Sequence, residues 1–286
     1  MPQDRPEPNN EGPSILDRIV AEKRVEVARA KHVTSLDLLK SRVDEVGPPR
    51  NFFQALVKEG DRAHTRVIAE IKRMSPSAGV IRKDFDPVRI ATQYAQAGAA
   101  AISCLTDEKH FGGHLGYIQL IRKEVGLPVL RKDFIIDQYQ IWEARAAGAD
   151  AVLLIAEVLS EGELLDFMIL SRELGMTSLV EAHELERLLK IEPHIGFPHR
   201  GYSLLGINNR NLKTMTTDLS HTFRMAELVE DSKRVLVSES GIKTADDLAR
   251  LRSHGVNIVL VGEHLIRQDD PGEALRELLG NIKKTS

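Results

Sequence analysis

Cysteine and tryptophan each occur once in 286 residues, and nowhere do 18 apolar residues follow one another. The lone thiol, Cys104, has no partner for an intramolecular disulfide, which points to a reducing compartment, the cytoplasm. It lies inside an apolar run and reads as a small core residue, not a nucleophile. The missing apolar stretch excludes a membrane-spanning helix. A surplus of one charge sign is missing too: 39 Lys and Arg against 42 Asp and Glu leave a formal charge of −3. That supplies neither the basic footprint of a nucleic-acid binder nor a polybasic membrane patch, so any anionic ligand must be held by local groups. Met1 to Pro13, rich in Pro, Asn, Asp and Glu, lacks the apolar or Arg-rich pattern of a signal or transit peptide and reads as a disordered polar leader.

What is present suits one α/β unit over 14–286, and a length of this order is common for barrels. Ser14 can cap a helix carrying Ile15, Leu16, Ile19, Val20, Val25 and Val27, and a second helical pattern runs from Ser35 to Val46 before Gly47-Pro48-Pro49. Residues 14–50 are thus expected to form an N-terminal helical cap whose apolar face covers the barrel mouth. From Val67 onward one unit recurs: a helical pattern, a glycine able to end it, a short apolar strand, then a polar residue. Gly98, Gly148, Gly175 and Gly255 each precede such a predicted strand. Further strands are predicted to end at Lys72, Lys132, Asn208 and Glu239, which makes eight. Eight strands alternating with helices predict a (β/α)8 TIM barrel with an N-terminal helical extension. An open doubly wound sheet is the alternative, but no strand is followed by Gly-x-Gly-x-x-Gly.

In a barrel the reactive groups sit at the C-terminal strand ends. Here those ends carry Glu70 and Lys72, Lys132 and Asp133, Glu157, Glu181, Asn208 with Arg210, and Glu239 with Ser240. Alternation puts Glu70 and Lys72 in phase with Ile68, Lys132 with Leu130 and Phe134, Glu181 with Leu179, and Glu239 with Val237. One such charge is ordinarily a rim residue or half of an ion pair capping a core. Two lysines, three glutamates and an arginine in phase predict a single ionic mouth, where Lys can serve as acid and Glu as base. His110 and His114 have metal-pair spacing, yet they flank Gly112-Gly113 in a predicted loop, and no metal site is assigned. Gly241 and Gly262, directly after strands seven and eight, leave backbone N–H groups open to an anion, with a short helix expected to start near Glu263.

These residues resemble the indole-3-glycerol-phosphate synthase family of tryptophan biosynthesis. The resemblance rests on Ile15-Leu16-Asp17-Arg18-Ile19-Val20-Ala21-Glu22-Lys23-Arg24, Glu70-Ile71-Lys72-Arg73-Met74-Ser75-Pro76-Ser77, Leu105-Thr106-Asp107-Glu108-Lys109-His110-Phe111, Leu130-Arg131-Lys132-Asp133-Phe134-Ile135, Val180-Glu181-Ala182-His183, Gly206-Ile207-Asn208-Asn209-Arg210-Asn211-Leu212 and Ser238-Glu239-Ser240-Gly241-Ile242. It implies a carboxy-lyase without cofactor that converts the phosphorylated 1-(2-carboxyphenylamino)-1-deoxyribulose 5-phosphate to indole-3-glycerol phosphate, carbon dioxide and water. It further implies that Lys132 is a general acid in ring closure and Glu181 a proton-transfer partner. Lys72 would be a second cation that contacts the substrate carboxylate or acts in dehydration. Glu70, Asn208, Arg210, Glu239 and Ser240 match the polar surround, Phe111, Phe134, Leu153 and Leu212 the apolar walls, and Ser75, Gly241 and Gly262 the phosphate site. Other tryptophan-pathway enzymes are the partners it suggests.

Three positions depart from the family pattern: Glu263 stands where many members carry Ser, Met74 where the residue is often small or cationic, and the link from Ile191 to Ser203 is longer than usual. An acid at 263 would repel a phosphate unless it turned away, leaving the backbone N–H to bind. The rival readings are a phosphoribosyl isomerase or ribulose-phosphate epimerase, which lack the Glu-x-Lys-x-x-Ser-Pro-Ser run, and an inactive barrel kept as a scaffold.

Overall fold

The computed structural model describes residues 14–58, 60, 63–197, 199, 201–210, 216–229 and 235–280. Eight parallel strands close into a barrel: β1 (Arg66–Ile71), β2 (Ala101–Leu105), β3 (Val129–Lys132), β4 (Ala151–Ile155), β5 (Thr177–Ala182), β6 (Ser203–Asn208), β7 (Leu236–Glu239) and β8 (Ile258–Val261). Each strand pairs with the next in sequence, and β1 closes the ring on β8 through Ile68↔Leu260. The expected (β/α)8 barrel is therefore the observed fold. Strand alternation sorts the side chains into two layers. Ile68, Leu130, Leu153, Leu179, Val237 and Leu260 fill the barrel, while Val67, Ala69, Ile71, Ile102, Cys104 and Val180 pack outward against the helices. Cys104 is a buried free thiol, its pKa pushed up to about 12 by burial, as suits a packing residue.

Gly98 (φ +97°) ends the helix Pro87–Ala97 in the left-handed conformation, and the chain enters β2 three residues later. Four elements lie outside the sequence expectation, one of them the single helical turn Glu108–Phe111, which holds His110 where a loop was expected. A five-residue helix, Phe52–Leu56, drives Phe52 and Leu56 into the end of the barrel interior where the strands begin, against Ile68, Ala101 and Ile258. It is too short to show a helical period. A two-stranded hairpin, Met74–Ser75 with Gly79–Val80, follows β1, and a 3₁₀ turn, Glu192–His194, occupies the long link before β6.

Helix α1 (Ile15–Val33) starts on a capping box between Ser14 and Asp17, and α2 (Leu36–Val46) follows from Ser35. Their positions correct the expectation that both cover the mouth. Only the first turns of α1 reach it, through Ile15, Leu16 and Ile19. The second helix instead joins Leu39 to Val27 and Tyr139 on the outer ring. Lys23 of α1 is buried and bonds Asp133 at 2.9 Å, Asp107 at 3.0 Å and Glu26 at 2.9 Å. Asp133 also accepts from Thr106 Oγ1 (2.6 Å) and Arg131 Nη2 (3.1 Å). The helix is thus clasped to the ends of β2 and β3.

Candidate active site

The ionic mouth is built by register. Glu181 pairs with Gly206, and Glu239 with Asn208 two residues further along β6, so alternate positions at the ends of β5, β6 and β7 face the barrel interior. Lys132, the last residue of β3, lies with its Nζ 2.8 Å from Glu239 Oε2, 3.6 Å from Glu181 Oε2 and 3.7 Å from Glu70 Oε2. Lys72, just past β1, bonds Glu70 Oε1 at 2.7 Å. One ammonium is therefore ringed by carboxylates from three strands, and a second is tethered at the rim. Two glycines make the room. A Cβ on Gly206 would lie 2.5 Å from Glu239 Oε1, and one on Gly262 would overlap the Glu70 carboxylate.

Burial sets these groups apart in charge. It works against the Lys132 ammonium, but Glu239, Glu181 and Glu70 outweigh it and hold the proton well above the ordinary lysine range. Burial likewise opposes the Glu70 carboxylate, which Lys72 and Lys132 keep below its usual value. For Glu181 the opposition of burial is overcome by Lys132 and by the hydrogen bond and charge of His183, so it stays ionised. Glu239 goes the other way: burial and the neighbouring Glu181 push its pKa up, and Lys132 only partly compensates. Two adjacent carboxyls thus have opposite proton preferences, the arrangement expected of an acid–base site.

Asn208 links Glu181 to the loop that follows β7. Its Nδ2 donates to Glu181 Oε1 (3.2 Å), and its Oδ1 accepts from Ser240 Oγ (2.9 Å) and the Arg210 backbone N–H (3.0 Å). Ser240 is the one described non-glycine residue with positive φ (+68°). Strain of this kind collects at functional sites. Gly241 follows at φ +81°, with Thr217 Cγ2 2.5 Å from where a Cβ would stand, so only glycine fits.

Glu70, Lys72, Lys132, Glu181, Asn208, Arg210, Ser240, Gly241, Gly262 and Glu263 all line one cavity of about 640 Å³, walled by Phe111, Phe134 and Leu153. The two phenyl rings lie 6.1 Å apart and tilted. Glu239 lies beneath this cavity, fully buried. Ser75 lines an adjoining apolar pocket of about 90 Å³ under α1, shared with Arg210 and both rings, and is separate from Gly241 and Gly262. Leu212 lies outside the described residues. Glu157 stands apart from the mouth, accepting from the His183 and Glu184 backbone N–H groups. Glu263 begins the expected short helix, Glu263–Ile266, and its carboxylate pairs with Arg210 and Arg267, each at 2.9 Å. His110 is held by Glu22 of α1 (2.7 Å), while His114 Nδ1 accepts from the Gly116 backbone (3.0 Å), so the two rings have different partners.

Sequence reasoning missed four contributors. Lys243 and Arg267 add positive charge to the cavity wall near Gly241 and Gly262. Lys23 holds the α1 clasp. His183, two residues past Glu181 and so in its phase, places Nε2 2.9 Å from Glu181 Oε1. That phase was the available signal.

A closed parallel barrel with opposed acid and base groups at its C-terminal strand ends is an enzyme of the (β/α)8 class. The family model for indole-3-glycerol phosphate synthase matches residues 16–278. The indole-3-glycerol phosphate synthase of Roseiflexus castenholzii is 46% identical over 281 residues, 94% of this chain and 99% of that protein. That of Laribacter hongkongensis is 44% identical over 92% of this chain and 98% of its own. The chain belongs to the indole-3-glycerol phosphate synthase family, carboxy-lyases of tryptophan biosynthesis. Among solved structures, 3-hexulose-6-phosphate synthase aligns at a TM-score of 0.59 with 14% identity, over 76% of this chain and 100% of the other. A mutant tryptophan synthase α-subunit from Pyrococcus furiosus aligns at 0.54 with 16% identity, over 75% and 98%. At such identities the likeness is one of fold.

Proposed function

We propose the following division of labour for the ring closure, decarboxylation and dehydration that yield indole-3-glycerol phosphate. The reaction makes a carbon–carbon bond between the carboxylated ring carbon and the ketone, which leaves negative charge on the ketone oxygen. Lys132 delivers the proton to that oxygen; its three carboxylate neighbours keep it charged, and this arrangement carries the proposal. Carbon dioxide then leaves and the ring regains its aromaticity. Loss of water takes a second proton onto the hydroxyl and returns one from carbon. Glu181 is the base, and Lys72 the cation that holds the substrate carboxylate or assists departure of the hydroxyl. Two protons enter and one returns, so each turnover of the carboxylate form consumes one proton.

Glu70, Asn208, Glu239 and Ser240 orient and tune these groups. Phe111, Phe134 and Leu153 form the apolar wall for the aromatic ring, with Leu212 proposed beside them. The phosphate goes to the backbone at Gly241 and Gly262, with Ser75 at the neighbouring edge and Arg210 between the two pockets. Glu263 contributes its backbone N–H, since its carboxylate is already engaged by Arg210 and Arg267. One unit over 14–286, a cytoplasmic setting and contact with other tryptophan-pathway enzymes belong to the same proposal, supported by the family's biosynthetic role.

The test is indole fluorescence on adding the carboxyphenylamino-deoxyribulose phosphate to protein in chelator. Turnover is expected. Binding without turnover would favour the scaffold reading.

A further inference from the structure

Glu181 has a hydrogen-bond partner that does not line the cavity. His183 Nε2 meets Glu181 Oε1 at 2.9 Å, and the ring is mostly buried, with 11% of its side chain exposed. Its backbone is pinned from two sides. The N–H donates to Glu157 Oε1 at 2.7 Å, and the carbonyl accepts from His221 Nε2 at 2.9 Å. Glu157 comes from the segment after β4 and His221 from the helix Ser220–Ala226, so two neighbouring elements fix where this imidazole stands. Its Nδ1 and the second oxygen of Glu157 are both buried without a hydrogen-bond partner among the described residues.

We propose that His183 is a positioning residue for Glu181: it holds the carboxylate toward Lys132, and its charge extends the range of acid pH over which Glu181 stays ionised. The inference rests on Glu181 being the base. The charged and titratable groups facing the ring are Glu181 from β5, Glu157 from the β4 end, Glu239 from β7 and His221 from its helix. Burial opposes an imidazolium, but Glu181, Glu157 and Glu239 outweigh it and raise the His183 pKa, while His221 is itself lowered by burial. An imidazolium against Oε1 complements the Lys132 ammonium near Oε2, and the base is gripped between two cations.

The sign follows. Removing the His183 charge lets the Glu181 pKa rise, so the acidic limb of kcat, which reports base ionisation in the complex, moves to higher pH. His183→Gln keeps an N–H donor without the charge. It should move that limb up by about one pH unit, lowering kcat up to about tenfold on the limb itself and leaving it near the wild-type value on the plateau, with KM within about twofold. His183→Leu removes donor and charge and should lower kcat about 100-fold. A purely structural histidine would lower thermal stability in both variants and leave the limb in place. An unmoved limb in H183Q, or equal kcat in the Gln and Leu variants, overturns the proposal. Glu181→Gln is measured beside them. Wild-type kcat in E181Q would overturn both the base assignment and this inference, whereas a crippled E181Q with an unmoved limb in H183Q overturns this inference alone.

Discussion

Lys132 and Asp133 are neighbours in sequence but belong to two different buried ionic clusters. Lys132 points into the barrel mouth; Asp133 joins the clasp of Lys23, Arg131 and Thr106 that holds α1 to the barrel. The clasp is saturated. Asp133 Oδ1 meets Lys23 Nζ and the Phe134 backbone N–H, Oδ2 meets Thr106 and Arg131, and Lys23 has three carboxylate partners. The mouth is left incomplete: Glu181 Oε2 and Glu239 Oε1 have no hydrogen-bond partner among the described residues. Buried polar groups are nearly always paired. A satisfied cluster fixes geometry, while an unsatisfied one beside a cavity keeps capacity for a reacting molecule.

That contrast can be sharpened by substitution. Lys132→Met should lower kcat by at least about 1,000-fold with KM and fold nearly intact, because it removes the proposed acid and not a packing residue. Steady-state kinetics with circular dichroism would decide, and a loss confined to KM would contradict the role. Lys23→Met should do the reverse. It removes the buried ammonium that Asp133 and Asp107 share and should cost about 3–5 kcal/mol of stability, with kcat of the folded enzyme little changed; a denaturant melt that left the midpoint in place would break the comparison.

The clasp should also carry a pH signature. Burial opposes the Asp133 charge, but Arg131 and Lys23 prevail and hold its pKa down at about 2. A folded pKa below the unfolded one gives stability that is complete above the unfolded value, near 4, and lost as pH falls toward about 2. Lys23→Met should therefore begin acid unfolding at higher pH than the wild type, and coincident acid melts would argue against the clasp. The smallest effect expected is that of Glu263→Ser, which frees Arg210 and Arg267 at the cavity wall. It should change KM by less than about threefold, as suits partly exposed pairs, and leave kcat alone.

Period-two alternation made the inward set legible, since Ile68 with Glu70 and Leu179 with Glu181 share faces in the strand pattern and in the barrel. The glycine repeated before four of the eight strands made the topology legible. Lys23 could not be read, because in α1 it is one cation among several and its burial depends on Asp107 and Asp133 from distant strand ends. The reason for Gly206 and Gly262 was equally hidden: each glycine leaves space for a glutamate on another strand. The position of α2 depended on Tyr139, far away in sequence, so its apolar face alone did not tell which surface it would cover.

Lys132 is the proposed acid in the mouth, and the clasp maintains the fold around it. The most direct measurement is kcat and KM of the wild type and of Lys132→Met for the carboxyphenylamino-deoxyribulose phosphate, followed by indole fluorescence at neutral pH. A fall in kcat of at least about 1,000-fold is expected, at a KM within about threefold of the wild type. A variant that kept kcat within tenfold, or lost activity only through KM, would contradict it.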